Sequence, residues 1–194
     1  MRGEDGMKRT ESGVKLNWDD FVLFPDDGQR HELIDGEHYV TPIPIRRHQV
    51  IVGNLFGMIW CYLRERPLGN VYSAPLDVIL SAHDVVEPDV LYVSHERART
   101  FAESPWLKGA PDLVIEVGSP STKRRDGTIK RRQYEQAGVD EYWLVDLENA
   151  GVTVLRRDGG TFGGGLECRL ADGDILTTPL LPGLEIALRE VFEE

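Results

Sequence analysis

The chain has 194 residues, 41% of them apolar, which is typical of one globular domain with a buried core. Its 22 Lys and Arg residues against 33 Asp and Glu residues give a net charge of −11, which argues against broad electrostatic binding of nucleic acid. The longest apolar-rich run, residues 50–63, is too short to cross a bilayer, so no membrane span is expected.

The N-terminal segment indicates a cytoplasmic protein. Residues 1–16 are charged and lack the apolar stretch of a secretory signal, which predicts a disordered lead-in before a single domain over residues 17–194. Cys61 and Cys168 have neither the spacing of a metal site nor the density of a disulfide scaffold. We expect both to be buried free thiols.

The first part of the chain predicts a short helix, a hairpin and a long helix. Asn17 is a suitable cap for a helix that ends before Pro25, and Asp35-Gly36 between two short strand-like runs indicates a β-hairpin. A long helix is predicted over residues 46–65 because apolar side chains recur on one face, namely Ile51, Leu55, Met58, Ile59 and Tyr62.

The remainder is rich in strands. Strands are predicted in residues 71–80, 85–93 and 111–117, and the last is apolar on both faces, as in a central strand. A helix follows over residues 124–137, with Gly138 as its C-terminal cap and Ser121 or Thr122 as its N-cap. Further strands and a terminal helix complete the pattern, in residues 140–148, 151–157 and 184–194. This order predicts an α/β or α+β fold with a mixed sheet flanked by helices.

Glu116 interrupts an otherwise apolar strand pattern. Side chains alternate along a strand, so Glu116 lies on the face opposite to Ile115, where an ionised carboxylate needs a cation or strong donors. Asp112 shares that face but is about 13 Å away along the strand, too far to share a metal ion. Asp89, at the start of another apolar strand, is the better partner if that strand returns beside Glu116.

Two converging carboxylates form the kind of site that Mg²⁺ or Mn²⁺ prefers. The structural alternative is that Asp89 caps the turn after Pro88, while Glu116 pairs with an arginine.

The helix that follows carries a cluster of cations. Residues 123–132 contain six cations and one anion, a pattern that usually marks a solvated helix face. At about 100° per residue, Lys130 falls in the apolar arc and faces the sheet, whereas Arg131 and Arg132 point outward toward solvent or a polyanion. A lysine facing a carboxylate pair and its metal could orient an attacking water and stabilise charge on a phosphate. The alternative is a lysine whose stem covers apolar surface.

Several segments in combination resemble one known family. They are "HELIDGE", "PLDVIL", "EPDVLYVS", "GAPDLVIEVGSPSTKRRD" and "GVDEYWLVD", with a lysine and a tyrosine on the helix before the last of them. From about residue 17 to the C-terminus the chain resembles the Uma-two family of endonucleases, in the PD-(D/E)xK restriction-endonuclease-like superfamily. The resemblance implies a restriction-endonuclease-like core with an extra N-terminal hairpin and extra C-terminal strands.

The resemblance also implies a set of site residues. The first acid of the superfamily falls on Asp89 and the second on Glu116, as ligands of Mg²⁺ or Mn²⁺. The superfamily pattern places a lysine two residues after the second acid, where this chain has Gly118. In the pattern of this family a lysine on the following helix replaces it, which here is Lys130.

Other polar residues have weaker expectations. Glu32, with Asp77 behind it, is the candidate for an early acid near the metal, and the alternative is that both are polar residues of a hairpin or strand edge. His48, near the start of the long helix, could approach a site, and the favoured expectation is a capping or surface role. Tyr142 and Trp143 are expected to pack in the sheet and not to stack on bases.

The predicted function is therefore a Mg²⁺- or Mn²⁺-dependent endonuclease acting on DNA. A homodimer is expected, because restriction-like nucleases cut both strands. One alternative is a module that binds nucleic acid or protein without turnover, which the net charge and the missing lysine at position 118 favour. The other is a homodimeric scaffold.

Overall fold

The computed structural model describes residues 14–41, 43–101, 104, 106–118 and 125–193. Most of the predicted lead-in and both N-cap candidates, Ser121 and Thr122, lie outside these residues. Where the end of the lead-in is described, the backbone N–H of Leu16 donates to the carbonyl of Gly36 at 3.0 Å. Within the described ranges, no helix is long and apolar enough to span a bilayer.

The first helix and the hairpin form as predicted. Helix α1 (Trp18–Phe21) begins at Asn17, whose side chain accepts hydrogen bonds from the next turn while the Asp20 carboxylate accepts from the Asn17 N–H. Strands β1 (Arg30–Ile34) and β2 (Glu37–Thr41) pair antiparallel. Asp35 and Gly36 join them with φ of 54° and 73°, the backbone that a type I′ turn requires.

Helix α2 (Arg46–Glu65) buries the predicted apolar stripe, with Ile51, Leu55 and Ile59 fully enclosed. Cys61 lies two residues after Ile59, about 200° around the helix, and is exposed. The expectation of a buried thiol is therefore wrong for Cys61, and it is confirmed for Cys168.

Two sheets contain most of the strands. The first has the order β2-β1-β5-β4-β7, in which the hairpin is joined by β4 (Val78–Ser81), β5 (Asp84–Val86) and β7 (Leu107–Lys108). The second, the central sheet, has the order β11-β10-β9-β8-β6-β3, with β12 also paired to β10. Its strands are β3 (Gly69–Ser73), β6 (Val90–Ser94), β8 (Leu113–Gly118), β9 (Glu141–Asp146), β10 (Gly151–Asp158), β11 (Thr161–Phe162) and β12 (Leu166–Arg169).

Short elements complete the chain. Helix α3 (His95–Ala98) follows β6, and a 3₁₀ turn (Leu170–Asp172) follows β12. The antiparallel pair β13 (Ile175–Thr177) and β14 (Glu185–Ala187) leads into helix α5 (Leu188–Val191).

The central sheet is mixed, and helices pack on both of its faces. Strand β8 runs antiparallel to β6 and parallel to β9. Ile115 packs in one buried cluster with Leu55 of α2, whereas Val114 packs in another with Tyr134. Tyr134 belongs to the helix predicted over residues 124–137, which starts as a π-helical stretch (Arg125–Lys130) and continues as α4 (Arg131–Ala137) to Gly138. The α/β prediction and the alternation along β8 are thus confirmed.

Three predicted elements differ from the structure. Residues 71–80 and 85–93 each divide into two strands, and each pair is split between the two sheets. The segment from Leu184 contributes a strand, β14, before its short helix, because alternate residues are buried there and its backbone pairs with β13.

Candidate active site

The pairing of β6 with β8 brings Asp89 to Glu116. Val90 lies opposite Ile115 in this antiparallel ladder, so the next position along places Asp89 level with Glu116. One carboxylate oxygen of Asp89, Oδ2, accepts a hydrogen bond from the backbone N–H of Val117 at 2.8 Å. The strand that begins after Asp89 therefore returns beside Glu116, as predicted.

Glu116 is held by two donors from one helix face. It is only 4% exposed, and its Oε1 atom lies 2.8 Å from Nζ of Lys130 and 2.6 Å from the hydroxyl of Tyr134. Lys130 and Tyr134 are four residues apart, which places both on the side of the helix that faces the sheet. Lys130 is therefore a partner of Glu116.

Lys130 bridges two buried carboxylates. The side chain is 2% exposed, and its Nζ atom also lies 2.7 Å from Oε1 of Glu32, a residue of β1 that is 1% exposed. The same oxygen of Glu32 accepts the backbone N–H of Glu87 at 3.0 Å. Lys130 thus faces the sheet as predicted, and it does not extend its ammonium group to water.

Asp89 is engaged through both of its oxygens. Oδ1 lies 2.9 Å and 3.0 Å from Nη1 and Nη2 of Arg30, while Oδ2 lies 3.1 Å from Nε2 of His48 as well as close to Val117. Burial alone would raise the pKa of Asp89, but the His48 hydrogen bond, the charges of His48 and Arg30 and the Val117 amide together lower it to about 2. Asp89 is therefore ionised throughout the physiological range.

The expectation of a capping or surface role for His48 is wrong. His48 is 7% exposed, it contacts Asp89, and its Nδ1 atom has no hydrogen-bond partner within the described residues. Sequence could have indicated this placement, because His48 precedes Ile51 by three residues and therefore lies on the buried stripe of α2.

Sequence reasoning missed three further members of the cluster. Arg30 pairs with Glu87 and with Asp89, and Tyr134 donates to Glu116. Arg30 and its two acids are separated by more than fifty positions in the chain. Tyr134 follows Lys130 by four residues, so the helical period places both on the same face, but no local pattern shows which group its hydroxyl meets.

Among the residues that the structure describes, the cluster contains more carboxylates than permanent cations. The ion pairs there join the acids Glu32, Glu87, Asp89 and Glu116 to the cations Arg30 and Lys130. The pKa of Asp77 is raised by burial and then by the negative charges of Glu87 and Glu32, which places Asp77 in the same negative field. Oxygen donors with an excess of negative charge fit a hard divalent cation. In residues 14–41, 43–101, 104, 106–118 and 125–193, however, no group of three or more His, Cys, Asp or Glu side chains is arranged to hold one.

The two arginines beside Lys130 differ in exposure. Arg132 is exposed, as predicted. Arg131 is half-buried and donates through Nη2 to the backbone carbonyl of Phe162 at 3.3 Å. Tyr142 and Trp143 are fully buried in the central sheet, as expected.

The fold is that of restriction-endonuclease-like nucleases. A crystal structure described as "a putative nuclease belonging to DUF820", from Anabaena variabilis ATCC 29413, is similar with a TM-score of 0.78 and 19% sequence identity, over 91% of this chain and 97% of that chain. The chain also matches the model of the Uma2 family, described as "Putative restriction endonuclease", over residues 18–189. It belongs to that family, which confirms the resemblance found in the sequence. No curated protein matches the chain.

Proposed function

We propose that the protein is a Mg²⁺- or Mn²⁺-dependent endonuclease that hydrolyses phosphodiester bonds in DNA. The family and the fold support a nuclease, and nucleases of the restriction-endonuclease-like class generally use divalent metal ions. The single observation that carries the proposal is the burial of Lys130 between Glu116 and Glu32. A buried ion pair contributes little stability compared with apolar packing, so its presence beside Asp89 favours a chemical role.

The residues of the site have different proposed roles. Asp89 and Glu116 would hold the cation, since both present carboxylate oxygens at the junction of β6 and β8. Lys130 would orient the attacking water and stabilise charge on the phosphate, because Glu116 and Glu32 fix the position of its ammonium group. Glu32 is thus a positioning residue that acts through Lys130.

The reaction is the hydrolysis of one P–O bond. The oxygen of water bonds to phosphorus, the bond to one sugar oxygen breaks, and that oxygen leaves with a proton. A bound divalent cation supplies Lewis-acid stabilisation of the charge that develops on the phosphate.

DNA is the proposed substrate because the family and the structural neighbour are described as nucleases. With a net charge of −11, the chain would approach DNA through a local basic surface, such as the exposed Arg132. We further propose that the protein is a homodimer, with one site acting on each DNA strand. Its proposed location is the cytoplasm.

The test is cleavage of supercoiled and single-stranded DNA with Mg²⁺ or Mn²⁺. Glu116→Gln and Lys130→Ala should each lower the cleavage rate roughly 100- to 1,000-fold, because the first weakens a ligand of the metal ion and the second removes a cation that acts on the transition-state charge. Lys108→Ala, an exposed lysine of β7, is the control and should cleave at the wild-type rate. Circular dichroism would establish that every variant is folded. Wild-type activity that survives chelator, or that persists in folded Lys130→Ala, would contradict the proposal.

A second candidate is a binding module without turnover. The observation that favours it is that both oxygens of Asp89 already accept hydrogen bonds, from Arg30, His48 and Val117. Such a protein would bind DNA or another protein and would leave DNA intact with every metal tested. Gel-shift measurements beside the cleavage assay therefore separate the two candidates.

A further inference from the structure

Arg30 contacts two carboxylates with different parts of its guanidinium group. Nη1 and Nη2 contact Oδ1 of Asp89, while Nε donates to Oε1 of Glu87. Nη2 also donates to the backbone carbonyl of Glu87 at 3.3 Å. One cation is therefore shared between a proposed metal ligand and an acid outside the proposed ligand set.

We propose that Arg30 is an internal cation that competes with the divalent metal for Asp89, and that it pairs with Glu87 alone when the metal binds. The inference rests on the proposed function in one respect, namely that Asp89 is a metal ligand. It adds a mechanism by which the protein sets its own metal affinity.

Arg30 must move, because it cannot leave by losing its proton. Arginine stays protonated in proteins, and although burial would lower the pKa of Arg30, the charges of Asp89 and Glu87 raise it further above its ordinary value. A divalent ion at Oδ1 of Asp89 would stand within a few ångströms of this guanidinium and repel it. The two cations therefore exclude each other at that oxygen.

Glu87 makes the exchange feasible. An arginine displaced from its only carboxylate would remain as an uncompensated, mostly buried charge, which is strongly unfavourable. Arg30 already holds Glu87 through Nε, so a small rotation away from Asp89 leaves it paired. The pair Glu87 and Asp89 thus offers the guanidinium two positions, and the metal favours one of them.

Removal of Arg30 and removal of the charge on Glu87 should change the affinity for the metal in opposite directions. Arg30→Gln removes the competitor and should tighten Mn²⁺ binding, on the order of tenfold. Glu87→Gln removes the second carboxylate that can pair with Arg30. Arg30 should then stay on Asp89, so Mn²⁺ binding should weaken by a similar factor. Both changes are measurable without DNA and without turnover.

The experiment is calorimetric titration of the full chain with Mn²⁺ alone. Two control variants with the same change in charge separate competition between Arg30 and Mn²⁺ from a general effect of charge on Mn²⁺ affinity. Asp77→Asn removes a negative charge that lies in the same field as Glu87. Arg97→Gln removes a positive charge that pairs with Asp112 and Asp140. Thermal unfolding in chelator would verify that each variant is folded.

The double variant distinguishes the mechanisms most sharply. If Glu87 acts by holding Arg30, then Glu87→Gln in the Arg30→Gln background should weaken Mn²⁺ binding no more than Asp77→Asn does. If both residues act only through their charge, their effects should add, which would overturn the inference. Should Arg30→Gln fail to fold, a larger effect of Glu87→Gln than of Asp77→Asn supports the competition, and equal effects overturn it.

The remaining outcomes distinguish this inference from the proposed function. Wild-type protein that binds Mn²⁺ and cleaves DNA, with unchanged affinity in Arg30→Gln, overturns the competition alone. Protein that binds Mn²⁺ with the expected changes but leaves DNA intact supports the competition and refutes the nuclease. If neither wild type nor Arg30→Gln binds Mn²⁺, both proposals are wrong.

Discussion

The ionised state of Asp89 makes the stability of the folded protein depend on pH. The pKa of Asp89 falls from 3.8 to about 2 on folding. A group whose pKa is lowered in the folded state contributes stability above its unfolded pKa and loses that contribution as pH falls through the folded value. The contribution of Asp89 is therefore complete above about pH 5 and is lost as pH falls toward 2.

The size of this contribution follows from the shift. Each pKa unit corresponds to about 1.4 kcal/mol, so the lowering from 3.8 to about 2 contributes about 2 kcal/mol to the free energy of unfolding. Asp89 is nearly inaccessible to solvent, so screening by water does not reduce this figure as it would at the surface. Asp89→Asn should remove this contribution.

The assay is urea unfolding of wild type and Asp89→Asn at pH 7, 5 and 3 without metal. The variant should be less stable at pH 7 by about 2 kcal/mol or more, and the difference should shrink as pH falls because wild type loses its advantage. Glu148→Gln, at an exposed acid, is the control and should change stability by less than about 0.5 kcal/mol at every pH. A difference between wild type and Asp89→Asn that stays constant or grows on acidification would refute the role of Arg30 and His48 in holding this carboxylate ionised.

Two further changes test the elements that support the site. Tyr134→Phe removes the hydroxyl that donates to Glu116 at 2.6 Å, and it should lower the free energy of unfolding by about 1–3 kcal/mol, since the hydroxyl is a buried partner of a charged group. Chemical denaturation measures this loss, and an unchanged unfolding midpoint would contradict it. Gly36→Ala should destabilise the hairpin that carries Glu32, because Gly36 has φ of 73° and an added Cβ would lie 2.7 Å from Cβ of Lys15. Thermal unfolding checks this change, with Gly57→Ala, an open position on α2, as a control that should be neutral or stabilising.

The sheet-facing side of the helix that carries Lys130 was the best-predicted part of the site. The burial of Lys130 followed from a period of 3.6 residues, and the alternation around Glu116 followed from a period of two. Each period belongs to a single helix or strand, so it can be recognised in the sequence of that element alone. The pairing of Asp89 with β8 was inferred from its place at the start of an apolar strand.

The charged partners of Asp89 could not be predicted in the same way. Arg30 meets Glu87 and Asp89 because β1 pairs antiparallel with β5, just before the chain leaves β5 for β6, and no local pattern specifies that long-range pairing. The two split β-rich stretches illustrate the same limit, since residues 71–80 and 85–93 each contribute strands to different sheets. Periodicity identifies a strand, whereas the sheet that receives it depends on tertiary contacts.

The linker of residues 87–89, which joins β5 in the first sheet to β6 in the central sheet, has a consequence for folding. The contact between Lys130 and Glu116 spans 14 residues of the chain, whereas Arg30 meets Glu87 and Asp89 across 57 and 59 residues. Contacts that close longer loops have a larger entropic cost and tend to form later. The half of the site around Glu116 can therefore assemble while the hairpin is still undocked, and the half around Asp89 is completed only when the two sheets come together. A chain emerging from synthesis would thus lack a complete site until its fold is nearly finished.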